Sequence, residues 1–156
     1  MSESDFMARA MRLAAESIAA DRGGPFGAVI VRGGAIIAEG CNEVTSTNDP
    51  TAHAEMVAIR RACDRLGAFH LNDCDIYASC EPCPMCLGAI YWARIRRIYF
   101  ANTRVEAARI GFSDAFIYEQ IGIAPAERSV PAIKLSPANA DHAFAQWMSK
   151  ETKTEY

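Results

Sequence analysis

The chain has 156 residues, a hydrophobic fraction of 51% and a formal net charge of −3 at pH 7. That length suits one domain with a sizeable core, and that composition excludes a disordered chain. The acidic balance argues against a nucleic-acid partner held through phosphates, and no apolar run approaches membrane-spanning length.

The N-terminus is acidic and polar, then amphipathic, without a leader pattern. Residues 5–20 predict a helix with Phe6, Ala10, Leu13 and Ser17 on one stripe, ended by Gly23-Gly24. Residues 26–31 predict a strand, Gly33-Gly34 a tight turn, and residues 35–41 its antiparallel partner. A loop rich in Asn, Ser and Thr follows over 42–49. Asp49-Pro50-Thr51 then reads as a capping signal for a helix from about 51 to 67, with Met56, Ile59, Cys63 and Leu66 along one face. Residues 74–80 predict a third strand, 83–93 a helix and 97–101 a fourth strand, an order that implies a parallel pair. Residues 122–131 read as loop and 132–135 as a short fifth strand. Ala140, Ala143, Phe144, Trp147 and Met148 mark a last helix. The expected fold is α/β, a three-layer α/β/α sandwich with a mixed central sheet.

Two stretches carry chemistry. Thr51-Ala52-His53-Ala54-Glu55 supplies an imidazole and a carboxylate, and Cys80-Glu81-Pro82-Cys83-Pro84-Met85-Cys86 supplies thiols. Cys83 and Cys86, three apart, share one face of a helical turn and can reach one metal ion. Pro82 and Pro84 are tolerated in a first turn, which places the thiols at a helix N-terminus where the anionic form is favoured. His53, Cys83 and Cys86 form a zinc set of three, leaving a fourth position for water as catalytic sites do. Glu55 is the candidate general base and acid. H-x-E…P-C-x-x-C is the signature of zinc-dependent base deaminases.

Two other readings of these cysteines stay open. One is a metal-free redox pair, disfavoured by the upstream H-x-E and the flanking prolines. The other is a closed zinc module, which needs a fourth ligand from His70 or Cys80. Cys80 and Cys83 also have C-x-x-C spacing, but Cys80 ends an apolar strand-like run. Cys41, Cys63 and Cys74 fall in apolar patterns and read as buried small hydrophobes. Six cysteines without an export signal suit reduced thiols and a cytoplasmic location.

The chain resembles the cytidine deaminase-like superfamily and, within it, the small bacterial guanine deaminases. The matching stretches are residues 23–29, 48–55, 79–94, 111–114 and the terminal Glu155-Tyr156. The resemblance implies one deaminase domain of the CMP/dCMP type over 1–156, one zinc ion per subunit, and a homodimer exchanging residues 137–156. It further implies hydrolysis of guanine, a small purine base, to xanthine and ammonia. The nearest alternative is another nucleobase or tRNA adenosine deaminase on the same fold. Phe26, Asn42, Trp92, Asp114 and Tyr156 are implied to line the base pocket. An ionised Asp114 accepts only, matching the adjacent N1–H and 2-amino donors of guanine, whereas Asn42 can donate and accept. Phe26 could cover a base face.

Overall fold

The computed structural model describes residues 1–156 and contains two compact units, Met1–Asp114 and Ala115–Tyr156. In the first, α1 (Glu3–Ala19) precedes the hairpin β1 (Gly27–Arg32) and β2 (Ala35–Cys41). Next come a single turn α2 (Val44–Thr47), α3 (Ala54–Leu66), β3 (Cys74–Cys80), α4 (Pro84–Trp92), β4 (Arg97–Asn102) and α5 (Arg104–Arg109). The sheet has four strands in the order β2-β1-β3-β4. β1 pairs antiparallel with β2 and β3, and β3 pairs parallel with β4.

Alternation along the strands builds the layers. Val29, Val31 and Tyr77 face α1, meeting Phe6 and Leu13. Ala28, Ile30 and Ile76 face the other way, onto Ala54, Ala58 and Ala62 of α3 and Ile90 of α4. Every residue of β3 is buried, as expected for a central strand covered on both faces. Two glycines permit the closest contacts. A Cβ on Gly27 would overlap the Ala10 carbonyl of α1, and one on Gly40 the Ala54 carbonyl of α3. The three-layer α/β/α arrangement with a mixed sheet agrees with the sequence expectation, and the expected stripe of α1 is buried throughout.

The differences have local causes. α1 starts earlier because Ser2 and Asp5 form a capping box. α3 starts at Ala54 because Asp49 instead organises a turn, its Oδ1 accepting from the Thr51 N–H and hydroxyl. α3 buries Ala54, Val57, Ala58, Ile59 and Ala62, while Met56, Cys63 and Leu66 are half-buried. Small side chains, not the large ones, let the helix lie close to β2. The loop at 42–49 contains α2, and α5 was not anticipated.

The second unit holds α6 (Ala115–Ile121), a 3-10 turn (Pro125–Glu127) and α7 (His142–Ser149). The expected strand at 132–135 does not form: these residues are exposed and have no neighbouring strand to complete their backbone bonds. The stripe of α7 is present, but Phe144 and Met148 stay 77% and 71% exposed. No residue of Ala115–Tyr156 is buried. No helix is long and apolar enough to cross a membrane.

Candidate metal centre and active site

His53 and Cys83 are the N-cap residues of α3 and α4, both with extended backbone. Neither side chain caps its own helix, so both are free to turn to a common ion. Pro84 occupies the first turn of α4, where its missing N–H costs nothing. One turn on, Cys86 faces back to the same point. His53 Nδ1 lies 3.6 Å from Cys83 Sγ and 3.5 Å from Cys86 Sγ. A tetrahedral zinc ion, with bonds of about 2.0–2.1 Å to nitrogen and about 2.3 Å to sulfur, holds such atoms about 3.5–3.6 Å apart. The donor set therefore fits zinc in kind and in spacing.

Electrostatics agree. The Cys83 thiol is brought down to about 4, first by the hydrogen bond from Cys86 and also by His53. Cys86 moves the other way, since its proton is shared with the Cys83 thiolate. The His53 imidazole is raised by its bond to Cys83. The helix N-termini add positive potential at the sulfurs. A divalent cation takes the place of the shared proton, as metal binding to thiols requires.

The remaining candidates for a fourth ligand lie elsewhere. His53, Cys83 and Cys86 are the one group of three or more His, Cys, Asp or Glu side chains whose donor atoms all lie within 4.8 Å of one another. Cys80 Sγ contacts the Thr103 carbonyl at 3.7 Å, and burial raises its thiol to about 11. His70 is exposed against Phe69. The centre thus offers three protein ligands, the number that catalytic zinc sites use. Glu55, in the first turn of α3, is 7% exposed, and burial pushes its carboxyl above the usual carboxylate value. It sits within hydrogen-bonding influence of Cys86. A carboxyl that readily takes and returns a proton beside an open metal position is what general acid–base chemistry needs.

Asn42 is held from four directions. Its backbone N–H donates to the Phe26 carbonyl at 3.0 Å, and its carbonyl accepts from the Ser17 hydroxyl at 2.9 Å. Its Oδ1 accepts from the Gly24 and Val44 N–H groups, each at 3.2 Å. The side-chain oxygen is therefore spent, and the Nδ2 donors remain. Phe26 packs edge-on to Phe112, ring centres 4.9 Å apart. Asp114 is half-buried, and desolvation raises its carboxyl. Arg104 opposes that shift, while Cys83 and Glu81 reinforce it, so Asp114 stands within electrostatic reach of the metal ligands. Trp92 ends α4, 68% exposed, about 9 Å along the axis from Cys86. Tyr156 belongs to the second unit and is 73% exposed.

Residues 1–102 match the family described as the cytidine and deoxycytidylate deaminase zinc-binding region. The chain belongs to this family. Zinc is accordingly the ion of the His53, Cys83 and Cys86 centre. Among similar proteins is a guanine deaminase of Bacillus subtilis (strain 168), 52% identical over the whole of both chains. A crystal structure of the guanine deaminase from Bacillus subtilis superposes with a TM-score of 0.98, at 52% identity, covering 100% of this chain and 99% of that one. A tRNA-specific adenosine deaminase of Agrobacterium fabrum (strain C58 / ATCC 33970) is 50% identical, but over only 49% of this chain and 50% of its own.

Two residues that sequence reasoning missed stand beside this deaminase centre. Phe112 backs Phe26; it lies within the stretch 111–114, but nothing in its spacing points to Phe26. Glu81 sits in the loop from β3 to α4 and bonds to the start of α5. It lies inside the cysteine motif, yet the ligand pattern passes over it.

Proposed function

We propose that the protein deaminates guanine hydrolytically, to xanthine and ammonia, at the zinc centre. The observation that carries the choice of base is the similarity to a guanine deaminase over the full length of both chains. The tRNA-specific relative matches about half of this chain.

His53, Cys83 and Cys86 hold the zinc, which when bound supplies Lewis acidity that lowers the pKa of water towards about 7. Glu55 takes one proton of the attacking water and gives it to ring N3. It then passes the proton of the new C2 hydroxyl to the amino nitrogen, which leaves as ammonia while the C2 carbonyl forms. The water oxygen adds to C2, and the bond from C2 to the amino nitrogen breaks. Burial of Glu55 supports this role, because its raised pKa brings the carboxyl nearer the working pH. Asp114 accepts from N1–H and the 2-amino group. Asn42, its oxygen engaged, donates from Nδ2 to an acceptor on the purine edge, a narrower role than an amide offers in general. Phe26, braced by Phe112, covers a base face.

The assembly we propose is a homodimer in which residues 137–156 are exchanged, so that Tyr156 closes the site of the neighbouring subunit. The absence of any buried residue in Ala115–Tyr156 supports this, as does the exposure of Phe144 and Met148. Trp92, exposed beside Tyr91, suits a subunit contact better than the base pocket. Six free cysteines and a small base as substrate go with a cytoplasmic location. The test is zinc content together with ammonia release from guanine, adenine, cytosine, guanosine and a tRNA anticodon stem. Release from guanine alone is expected. Release from the anticodon stem but not guanine would overturn the choice of base.

A further inference from the structure

Glu81 takes no part in the zinc signature, yet it laces the metal loop to the next corner of the chain. Its backbone N–H donates to the Asn102 carbonyl at 2.8 Å. Asn102 Nδ2 donates back to the Ser79 carbonyl at 2.9 Å. The Glu81 Oε2 accepts from the Arg104 N–H at 3.0 Å. Arg104 opens α5, where N–H groups have no partner within the helix. The capping box of Thr103 and Glu106 serves the N–H groups of those two residues. Glu81 serves the one at Arg104.

The far end of α5 leads to the pocket. The Phe112 N–H donates to the Ala107 carbonyl at 3.0 Å, and Gly111 turns the chain with φ 95°. Phe112 meets Phe26, and Asp114 follows two residues later. From Arg104 to Asp114 there is only a six-residue helix and one tight turn. A shift at the start of α5 therefore has little slack in which to dissipate.

We infer that Glu81 is a positioning residue: its carboxylate fixes the start of α5 and, through that helix and the Gly111 turn, the place of Asp114. The inference rests on the reading of Asp114 as the guanine-binding carboxylate. Glu81→Ala removes the acceptor, whereas Glu81→Gln keeps an oxygen able to accept from the Arg104 N–H.

The experiment uses the zinc-loaded full chain and four variants: Glu81→Ala, Glu81→Gln, Asp114→Asn and the double variant Glu81→Ala with Asp114→Asn. Zinc content, KM and kcat for guanine, and amide hydrogen exchange over residues 104–114 are measured for each. Glu81→Ala is expected to keep its zinc, to raise KM about ten- to hundredfold with little change in kcat, and to speed exchange at Arg104. Glu81→Gln should restore KM and exchange to within about threefold of the parent. In the double variant, Glu81→Ala should add little to the loss from Asp114→Asn, because both act on one contact. Unchanged exchange at Arg104, zinc loss in Glu81→Ala, no rescue by Gln, or additive losses in the double variant would each overturn the inference. An Asp114→Asn variant with unchanged KM would instead overturn the reading of Asp114. The exchange rate at Arg104 would still report whether Glu81 holds α5.

Discussion

Replacing Asn42 with Asp separates what the side chain does for the fold from what it does for a base. Oδ1 of Asn42 accepts from the N–H groups of Gly24 and Val44, and the residue is 5% exposed. Asp keeps that oxygen, and carboxylates accept backbone N–H bonds well, so the stability of the fold should change by no more than about 1 kcal/mol. The other end of the side chain changes from donor to acceptor. A purine acceptor placed against it then loses a hydrogen bond and faces a second lone pair. Leaving a buried polar group unpaired costs about 1–3 kcal/mol, which is about 5- to 150-fold in binding, and more if the new group is charged. Asn42→Ala provides the contrast, because it strands the Gly24 and Val44 N–H groups and should lower the unfolding midpoint as well. The assay pairs urea unfolding with steady-state ammonia release from guanine. A parental KM in the Asp variant would remove Asn42 from the pocket. A large loss of stability in that variant would refute the claim that Oδ1 is the structural end.

The other expected outcomes concern the metal ligands, the recognition carboxylate and the tail. Cys83→Ala and Cys86→Ala should each lose zinc and activity, while Cys80→Ala keeps the metal, as zinc analysis of the three purified variants will show; a zinc-free Cys80 variant would mean that the ligand set is misassigned. Asp114→Asn should keep zinc yet lose guanine turnover heavily, because an N–H is then presented to an N–H, and equal kcat/KM would contradict the pairing. Removing residues 152–156 should leave zinc and the thermal midpoint nearly unchanged while turnover falls by orders of magnitude. Mixing that truncated protein with Glu55→Gln should then restore part of the activity if subunits exchange their tails, and no recovery in demonstrated mixed dimers would place each tail on its own subunit.

The sheet and metal ligands were legible in the sequence because their signals are local. β3 runs from Cys74 to Cys80 as expected, an apolar run bounded by Asn72-Asp73 and Glu81-Pro82. The start of α4 followed from the fixed geometry of Pro84. The buried face of α3 was read only in part: Ile59 is buried as expected, but the alanines at 54, 58 and 62 join it in the core while Met56, Cys63 and Leu66 stay half-buried, and Gly40 makes the close approach possible. The Thr103–Glu106 capping box did spell the start of α5, but the helix is too short to show a period. The isolated apolar run at 132–135 could not announce that it lacks a strand to pair with. In the site, the type and spacing of Glu55 suggested its chemistry, whereas Asn42 and Asp114 became pocket candidates only through the family resemblance. Which Asn42 atom is engaged depends on Gly24 and Val44 arriving beside it, which only the folded chain decides.

The most direct test of the central claim, that a buried Glu55 moves the proton at an open zinc centre, is the turnover number of Glu55→Gln on guanine with zinc content measured in the same sample. The amide has nearly the shape of the carboxyl but cannot shuttle a proton. With zinc retained at one ion per chain, kcat is predicted to fall by at least about 10²–10⁴-fold. A zinc-replete Glu55→Gln protein turning over guanine near the parental rate would contradict it.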